Sequence, residues 1–387
     1  MAALLSPSLM TPARRFVLAI LVIVLCLHFM LSLFLNDYHP IPPAINSITN
    51  SLSLVHEKNS TLDYHSSHNI FLNSTTTRAN ATFVLLCRNT DINGVVSSIQ
   101  SVEDRFNKNY NYPWVLLNEE PFTDEFKERV NIMTRSPVSF GLIPKEHWFQ
   151  PDWIDEGRAR AGREKMMSQG IIYGGSVPYR NMCRFNSGFF FHHELLQPYR
   201  YYWRVEPDVK FFCDIPYDPF TYMQEHDKIY SFTIALVEWE ATIPTFWKTV
   251  KEFMKEYPQY VDSHNAKDFL TDNGDNYNLC HFWSNFEIAD MDFWRGEAYQ
   301  TFFNYLDSKG GFYYERWGDA PVHSIAAALF ARRDQIHFFR DIGYRHESLQ
   351  HCPSGDIWKD GRCSCDPNDT FDYHINSCLG RYERLFT

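Results

Sequence analysis

From Ala81 onward the chain alternates between two hydrophobic rhythms. Ala81-Thr-Phe-Val-Leu-Leu-Cys87 is a short apolar run and predicts a buried strand. Apolar residues then recur at Val95, Ile99, Val102 and Phe106, three and four apart, which is the period of an amphipathic helix. Trp114–Leu117 predicts the next strand. Thr123-Asp-Glu opens a helix with a capping hydroxyl, acids in the first turn and Phe126, Val130 and Met133 on one face. Tyr201–Val205, Lys228–Ala235 and Ile336–Phe339 predict further strands, and Pro244 opens a helix with Trp247, Val250, Met254 and Tyr257 on one face. Strand and helix in alternation predict an α/β fold, a mostly parallel sheet with helices on both faces, in one domain over residues 81–387.

The amino-terminal pattern is different. Phe16–Leu35 is twenty residues interrupted mainly by His28 and Ser32. At 1.5 Å per residue in a helix it spans about 30 Å, one hydrocarbon core. Arg14 and Arg15 precede it, and no acid lies before it. This predicts a cytosolic tail (1–15), a membrane anchor (16–35) and a lumenal remainder; a cleaved signal peptide is the rival. Residues 36–80 are rich in Ser, Thr, Asn and Pro, too polar to build a core, and read as a stem. Asn59, Asn73, Asn80 and Asn368 begin Asn-x-Ser/Thr glycosylation acceptors.

Composition narrows the class. The formal net charge of -11 argues against a nucleic-acid partner, which would need a basic face. Aromatic residues make up 17% of the chain, more than a core alone needs, and suit stacking on sugar rings. Of nine cysteines, Cys26 falls in the anchor. The other eight predict disulfides in an oxidising lumen, with local bridges expected in the 352–378 tail. Their connectivity is open at this level, and the tail's spacing is poor for zinc.

The chemistry-bearing stretches come in order. Tyr201–Val205 runs into Glu206-Pro207-Asp208. Proline ends the ladder there, so two carboxylates sit at a strand's carboxyl end, where α/β sheets bind ligands. They suit a hard divalent ion, and a plain polar turn is the alternative. Arg180 and Arg184 share a helix face and suit either phosphate or a salt bridge. Glu287 lies between Phe286 and Ile288, too apolar a setting for an idle acid. In an extended chain it would point away from both, towards a cleft. Asp319 reads first as the cap of a helix near Pro321, and His346 as a metal ligand or a surface residue.

Five motifs in order, Met-Cys-Arg-Phe-Asn-Ser-Gly-Phe-Phe (182–190), Tyr-Trp-Arg-Val-Glu-Pro (202–207), Ser-Asn-Phe-Glu-Ile-Ala (284–289), Arg-Trp-Gly-Asp-Ala-Pro-Val-His-Ser (316–324) and Gly-Tyr-Arg-His (343–346), resemble the fungal Golgi alpha-1,2-mannosyltransferases of glycosyltransferase family fifteen. The resemblance spans roughly Thr82 to Cys378. It implies a GT-A fold and transfer of mannose from GDP-mannose, with Mn²⁺ and with retention, to mannosylated glycoprotein acceptors at the Golgi membrane. It implies Glu206 and His346, with Asp208 beside them, as metal ligands. Glu287 is then the proposed nucleophile and Asp319 an acceptor-side acid, with Arg88, Tyr179 and Arg180 near donor and acceptor. Two other readings stand beside it: a transferase using another sugar nucleotide, and a non-catalytic glycan-binding or scaffolding subunit. The presence of Glu206, Glu287, Asp319 and His346 argues against the second.

Overall fold

The computed structural model describes residues 78–387. The predicted tail, anchor and nearly all of the stem, with Asn59 and Asn73, lie outside the described residues. Among those described, no helix is long and apolar enough to cross a membrane. Arg78 and Ala79 already belong to the domain: Ala79 is buried, and the Arg78 guanidinium lies 4.1 Å over the ring of Tyr112.

Seven strands form the central sheet, in the order Ile336–Phe338, Tyr230–Phe232, Glu287–Asp290, Tyr201–Arg204, Ala81–Leu86, Trp114–Asn118, Val138–Leu142. Six run parallel. The Glu287 strand alone runs against both its neighbours. The predicted strand over Lys228–Ala235 divides: Tyr230–Phe232 joins the sheet, and Ala235–Val237 leaves to pair with Cys280–Phe282.

Alternation along each strand feeds two cores. Phe83, Leu85, Trp114, Leu116, Trp203 and Ile288 point to one face, under the helices Ile92–Val102 and Asp124–Met133. Val84, Val115, Leu117, Tyr202, Tyr230 and Ala289 point to the other, under the helices Val177–Gly188, Glu297–Ser308 and Asp319–Phe330. Strands this hydrophobic on both faces need helices on both sides, as in other parallel sheets. Thr123 caps its helix as predicted, accepting from the Phe126 N–H at 3.2 Å. The helix after Pro244 runs Phe246–Glu256; it buries Phe246, Val250 and Phe253, and Trp247, Met254 and Tyr257 pack partly buried against the same core.

Among the described residues three disulfides form, and most are not local. Cys352–Cys365 lies within the tail, but Cys213–Cys363 and Cys280–Cys378 tie that tail back to the sheet domain. Cys87 and Cys183 are buried and unpaired. The tail has too little apolar surface to fold alone, so it is held by cross-links to segments that have a core. The Cys280–Cys378 bond closes a sequence separation of 98 residues. Replacing both cysteines with serine should lower unfolding stability by about 2–5 kcal/mol, read as a shift in the denaturant midpoint; an unshifted midpoint would show that the tail is held without it.

Candidate active site

The site is built outward from Arg204. In the Tyr201–Arg204 strand, Tyr201 and Trp203 enter one core while Tyr202 and Arg204 face the other. The ladder persists through the Val205 N–H, which donates to Val84, and then ends before Pro207. Arg204 therefore sits in the last turn of strand, almost buried. Its Nε donates to Glu206 Oε1 at 2.7 Å and its Nη1 to Asp319 Oδ2 at 2.6 Å. Burial opposes the charge on Arg204, but Glu206, Asp319 and Glu287 outweigh it and hold the guanidinium well above its ordinary pKa. Burial likewise opposes ionisation of Asp319, and Arg204 together with His323 and Ser284 reverses that, holding the carboxyl below its ordinary range. Ser284 Oγ donates to the same oxygen, Asp319 Oδ2, at 2.8 Å.

The reversed strand supplies the third acid. Because it runs against its neighbours, its first residue rather than its last lies at the carboxyl edge, with Glu287 paired to Arg204. Phe286 and Ile288 enter the opposite core, as the period of two predicts. Glu287 faces a narrow cavity that it lines with Val84, Leu86, Asn186, Phe190, Tyr202 and Arg204. It is 0% exposed, and both its oxygens are held. Tyr202 Oη donates to Oε1 at 2.7 Å, and His323 Nδ1 lies 3.1 Å from Oε2.

The predicted metal residues are only partly gathered. Among the described residues, no three of His, Cys, Asp and Glu converge into a ready cage. Asp208 is exposed at φ 61°, and its carboxylate is turned onto the first turn of the Ile92–Val102 helix: a Cβ on Gly94 would come within 2.6 Å of Asp208 Oδ2. The helix dipole favours a carboxylate there, so Asp208 is the weakest of the three as a ligand. His346 lies on the strand Tyr344–His346, which pairs with Lys210–Phe211 just after the acidic turn. Its Nδ1 lies 2.9 Å from Asn285 Nδ2, and Trp283 packs against its ring.

Two of the three acids keep one oxygen without a side-chain partner among the described residues: Glu206 Oε2 and Asp319 Oδ1. His346 keeps Nε2 in the same way. An oxygen and an imidazole nitrogen fit a small divalent ion that takes its remaining ligands from phosphate and water.

Arg180 corrects the sequence reading. Its guanidinium is fully buried and spent on the carbonyls of Glu315, Tyr173 and Ser176, so it cannot bind phosphate. Burial, followed by repulsion from Arg163 and Arg316, pulls its pKa down to about 10. Arg184 forms a two-bonded pair with Asp307. Asp319 is not a helix cap: Gly318 is the cap residue, and the Asp319 side chain turns to Arg204. Tyr179 stacks on Tyr173, with ring centres 4.6 Å apart, and the Arg316 guanidinium lies over its ring. Arg88 ends the first strand with an exposed side chain and a loose contact to Glu119 at 3.6 Å. Tyr202, Arg204, Ser284 and His323 were not singled out from sequence. Two signals were available: Tyr202 and Arg204 share one strand face, and His323 stands four residues after Asp319 on one helix face.

Comparison with known proteins gives a consistent picture. Residues 45–385 match the family described as Glycolipid 2-alpha-mannosyltransferase. Glycolipid 2-alpha-mannosyltransferase 1 of Candida albicans is 54% identical over 307 residues, 79% of this chain and 71% of that protein. Alpha-1,2 mannosyltransferase KTR1 of Saccharomyces cerevisiae is 52% identical over 310 residues, 80% of this chain and 79% of that protein. The crystal structure of core-mannan synthase A (CmsA/Ktr4) from Aspergillus fumigatus, in its Mn/GDP form, superposes with a TM-score of 0.76 at 41% identity, covering 81% of this chain and 86% of that one.

The Arg204 cluster makes a stability prediction. Removing one partner of a buried ion pair leaves the other uncompensated, at a cost of about 3–5 kcal/mol. Arg204→Met should lose stability of that order at neutral pH. Asp319 is depressed in the folded chain, so its pairing contributes above the unfolded carboxyl range, about pH 4, and is lost as pH falls through the lower folded value. The deficit of the variant should therefore shrink as pH falls through that range. Urea midpoints measured across pH check both statements; a neutral-pH midpoint equal to wild type contradicts them.

Proposed function

The chain belongs to the glycolipid 2-alpha-mannosyltransferase family, and we propose that it is a retaining, Mn²⁺-dependent alpha-1,2-mannosyltransferase, moving mannose from GDP-mannose to α-mannose on O- or N-linked glycoprotein glycans. One observation carries this reading. A sheet with six parallel strands and one reversed strand collects Glu206, Asp319 and Glu287 around Arg204 at its carboxyl edge. The relatives named as alpha-1,2 mannosyltransferases and the Mn/GDP form of the solved neighbour support donor and metal.

Each residue has a role that its partners define. Arg204 keeps Asp319 ionised and fixes the free oxygens of Glu206 and Asp319. Glu206 Oε2 and His346 Nε2 would hold Mn²⁺, whose charge offsets that of a departing diphosphate. Asp319 Oδ1 is placed to accept a hydrogen bond from the acceptor hydroxyl. Glu287 presents fixed negative charge to an oxocarbenium-like centre. Arg88, exposed at the end of the first strand, is suited to the nucleotide, and Tyr179 offers a ring edge to a sugar.

The lumenal Golgi location, with residues 16–35 as a single anchor and the amino terminus cytosolic, is part of the same proposal. It rests on the Arg-flanked apolar span and the acceptor sites for glycosylation. Protease treatment of sealed Golgi vesicles should leave the carboxyl terminus intact; digestion without detergent excludes this topology.

The activity is tested by incubating the full chain with a panel of sugar nucleotides and α-methyl mannoside. Transfer should be specific to GDP-mannose, stop with chelator and return with Mn²⁺. Full transfer in excess chelator overturns the metal assignment, and no transfer from GDP-mannose overturns the activity. Glu287→Gln should lower turnover by at least about 10²-fold, with KM for donor little changed. Normal turnover in a folded Glu287→Gln chain removes Glu287 from the chemistry.

A further inference from the structure

His323 is the one titratable side chain at this site whose two ring nitrogens face incompatible demands. It is 0% exposed, on the first turns of the Asp319–Phe330 helix. Nε2 lies 3.0 Å from the Asn186 carbonyl oxygen, which can only accept, so Nε2 carries a hydrogen. Nδ1 lies 3.1 Å from Glu287 Oε2. A neutral ring with hydrogen on Nε2 would set a lone pair against a carboxylate. The ring flipped by 180° would put carbon opposite both partners. One proton must therefore lie between Nδ1 and Oε2, leaving either imidazolium with carboxylate or neutral ring with carboxylic acid.

The neighbours decide between them. Trp294 Nε1 donates to Tyr202 Oη at 3.1 Å, which turns the tyrosine hydrogen towards Glu287 Oε1. A donated hydrogen bond favours the carboxylate. Trp294 also stacks flat on the His323 ring, with centres 4.4 Å apart at 20°, an arrangement that favours a cation over the π face. Arg204 adds positive charge near Glu287 from the adjacent strand, and Asp319 adds negative charge near His323 from its own helix. Tyr230 and Tyr299, the remaining titratable groups packed around the pair, stay neutral because burial and then Glu287 raise them. Burial alone opposes the ionic form, and it is outweighed by a close pair with every hydrogen bond made.

We propose that His323 is a positioning residue, held as an imidazolium between Asn186 and Glu287, that keeps Glu287 ionised and oriented inside the protein. This rests on the role of Glu287 proposed above. It makes Glu287 a standing countercharge: the proton stays on Nδ1, and Oε2 is tethered.

The test reads protonation directly. In the full chain labelled with ¹⁵N-histidine, the His323 signal is assigned by its loss in His323→Gln. Wild type should show both ring nitrogens protonated at neutral pH, and Glu287→Gln should return Nδ1 to the unprotonated state, because the amide then donates to it. In kinetics, His323→Gln should lower kcat more than it raises KM. It should also move the acid limb of the kcat profile up by about 1 pH unit or more, since Glu287 loses its cation; raising pH should then recover turnover. An unprotonated Nδ1 in active wild type overturns the proposal, as does an unmoved acid limb in a folded His323→Gln chain. If the variant fails to fold, the wild-type and Glu287→Gln spectra decide alone. Absence of GDP-mannose transfer by wild type would strike the activity and leave the protonation result standing.

Discussion

Three carboxylates converge at the edge of the central sheet in a place where water barely reaches, and the guanidinium of Arg204 binds two of them directly. Arg204 bonds Glu206 and Asp319 with two different nitrogens, and Glu287 lies opposite it in the strand ladder. Without that charge, burial of Asp319 would stand uncompensated, and its carboxyl would no longer be held below its ordinary range. Arg204 is thus the condition for an anionic site inside an apolar core. It also fixes direction: Glu206 and Asp319 each spend one oxygen on Arg204 and keep another for whatever enters.

The reversed strand is the second condition. In a wholly parallel sheet, the residue opposite Arg204 would be the end of a strand leading into a loop. Reversal puts the beginning of a strand there, so Glu287 is set by its pairing with Arg204, and the next two residues, Ile288 and Ala289, are paired on both sides. Its approach segment does related work: Ser284 bonds Asp319, and Asn285 meets His346. Four residues, Ser284 to Glu287, therefore touch three separate parts of the site. Beneath them, Trp294, Tyr202, His323 and Asn186 form a buried polar chain in which each hydrogen has one place to go. Such a network is costly when incomplete and rigid when complete.

Much of this was legible in the residues. Apolar runs marked the strands, three-four spacing marked the Ile92–Val102 helix, and Pro207 marked the end of the arginine strand. The setting of Glu287 between Phe286 and Ile288 foretold a buried acid facing the opposite way, because side chains in a strand alternate. The failures share a cause. Arg180 carried the residue type expected for phosphate, yet it is consumed by the nearby carbonyls of Tyr173 and Ser176 and by that of Glu315, which only folding brings near. Asp319 had the position of a cap and instead found Arg204, 115 residues away.

What the sequence determined by itself was therefore local and periodic: which segments are strands, which face is apolar, where a ladder must stop, and which acids are too deeply set among aromatics to be idle. Those follow from backbone geometry and side-chain chemistry within a few residues. The tertiary structure alone decided strand direction, disulfide pairing and the partner of every charge. A charge takes the nearest opposite charge in space, and an arginine with five donors is satisfied equally well by phosphate, carboxylate or carbonyl. Only the packing of the Asp319 helix against the reversed strand places His323 between Asn186 and Glu287, and so determines where the buried proton lies.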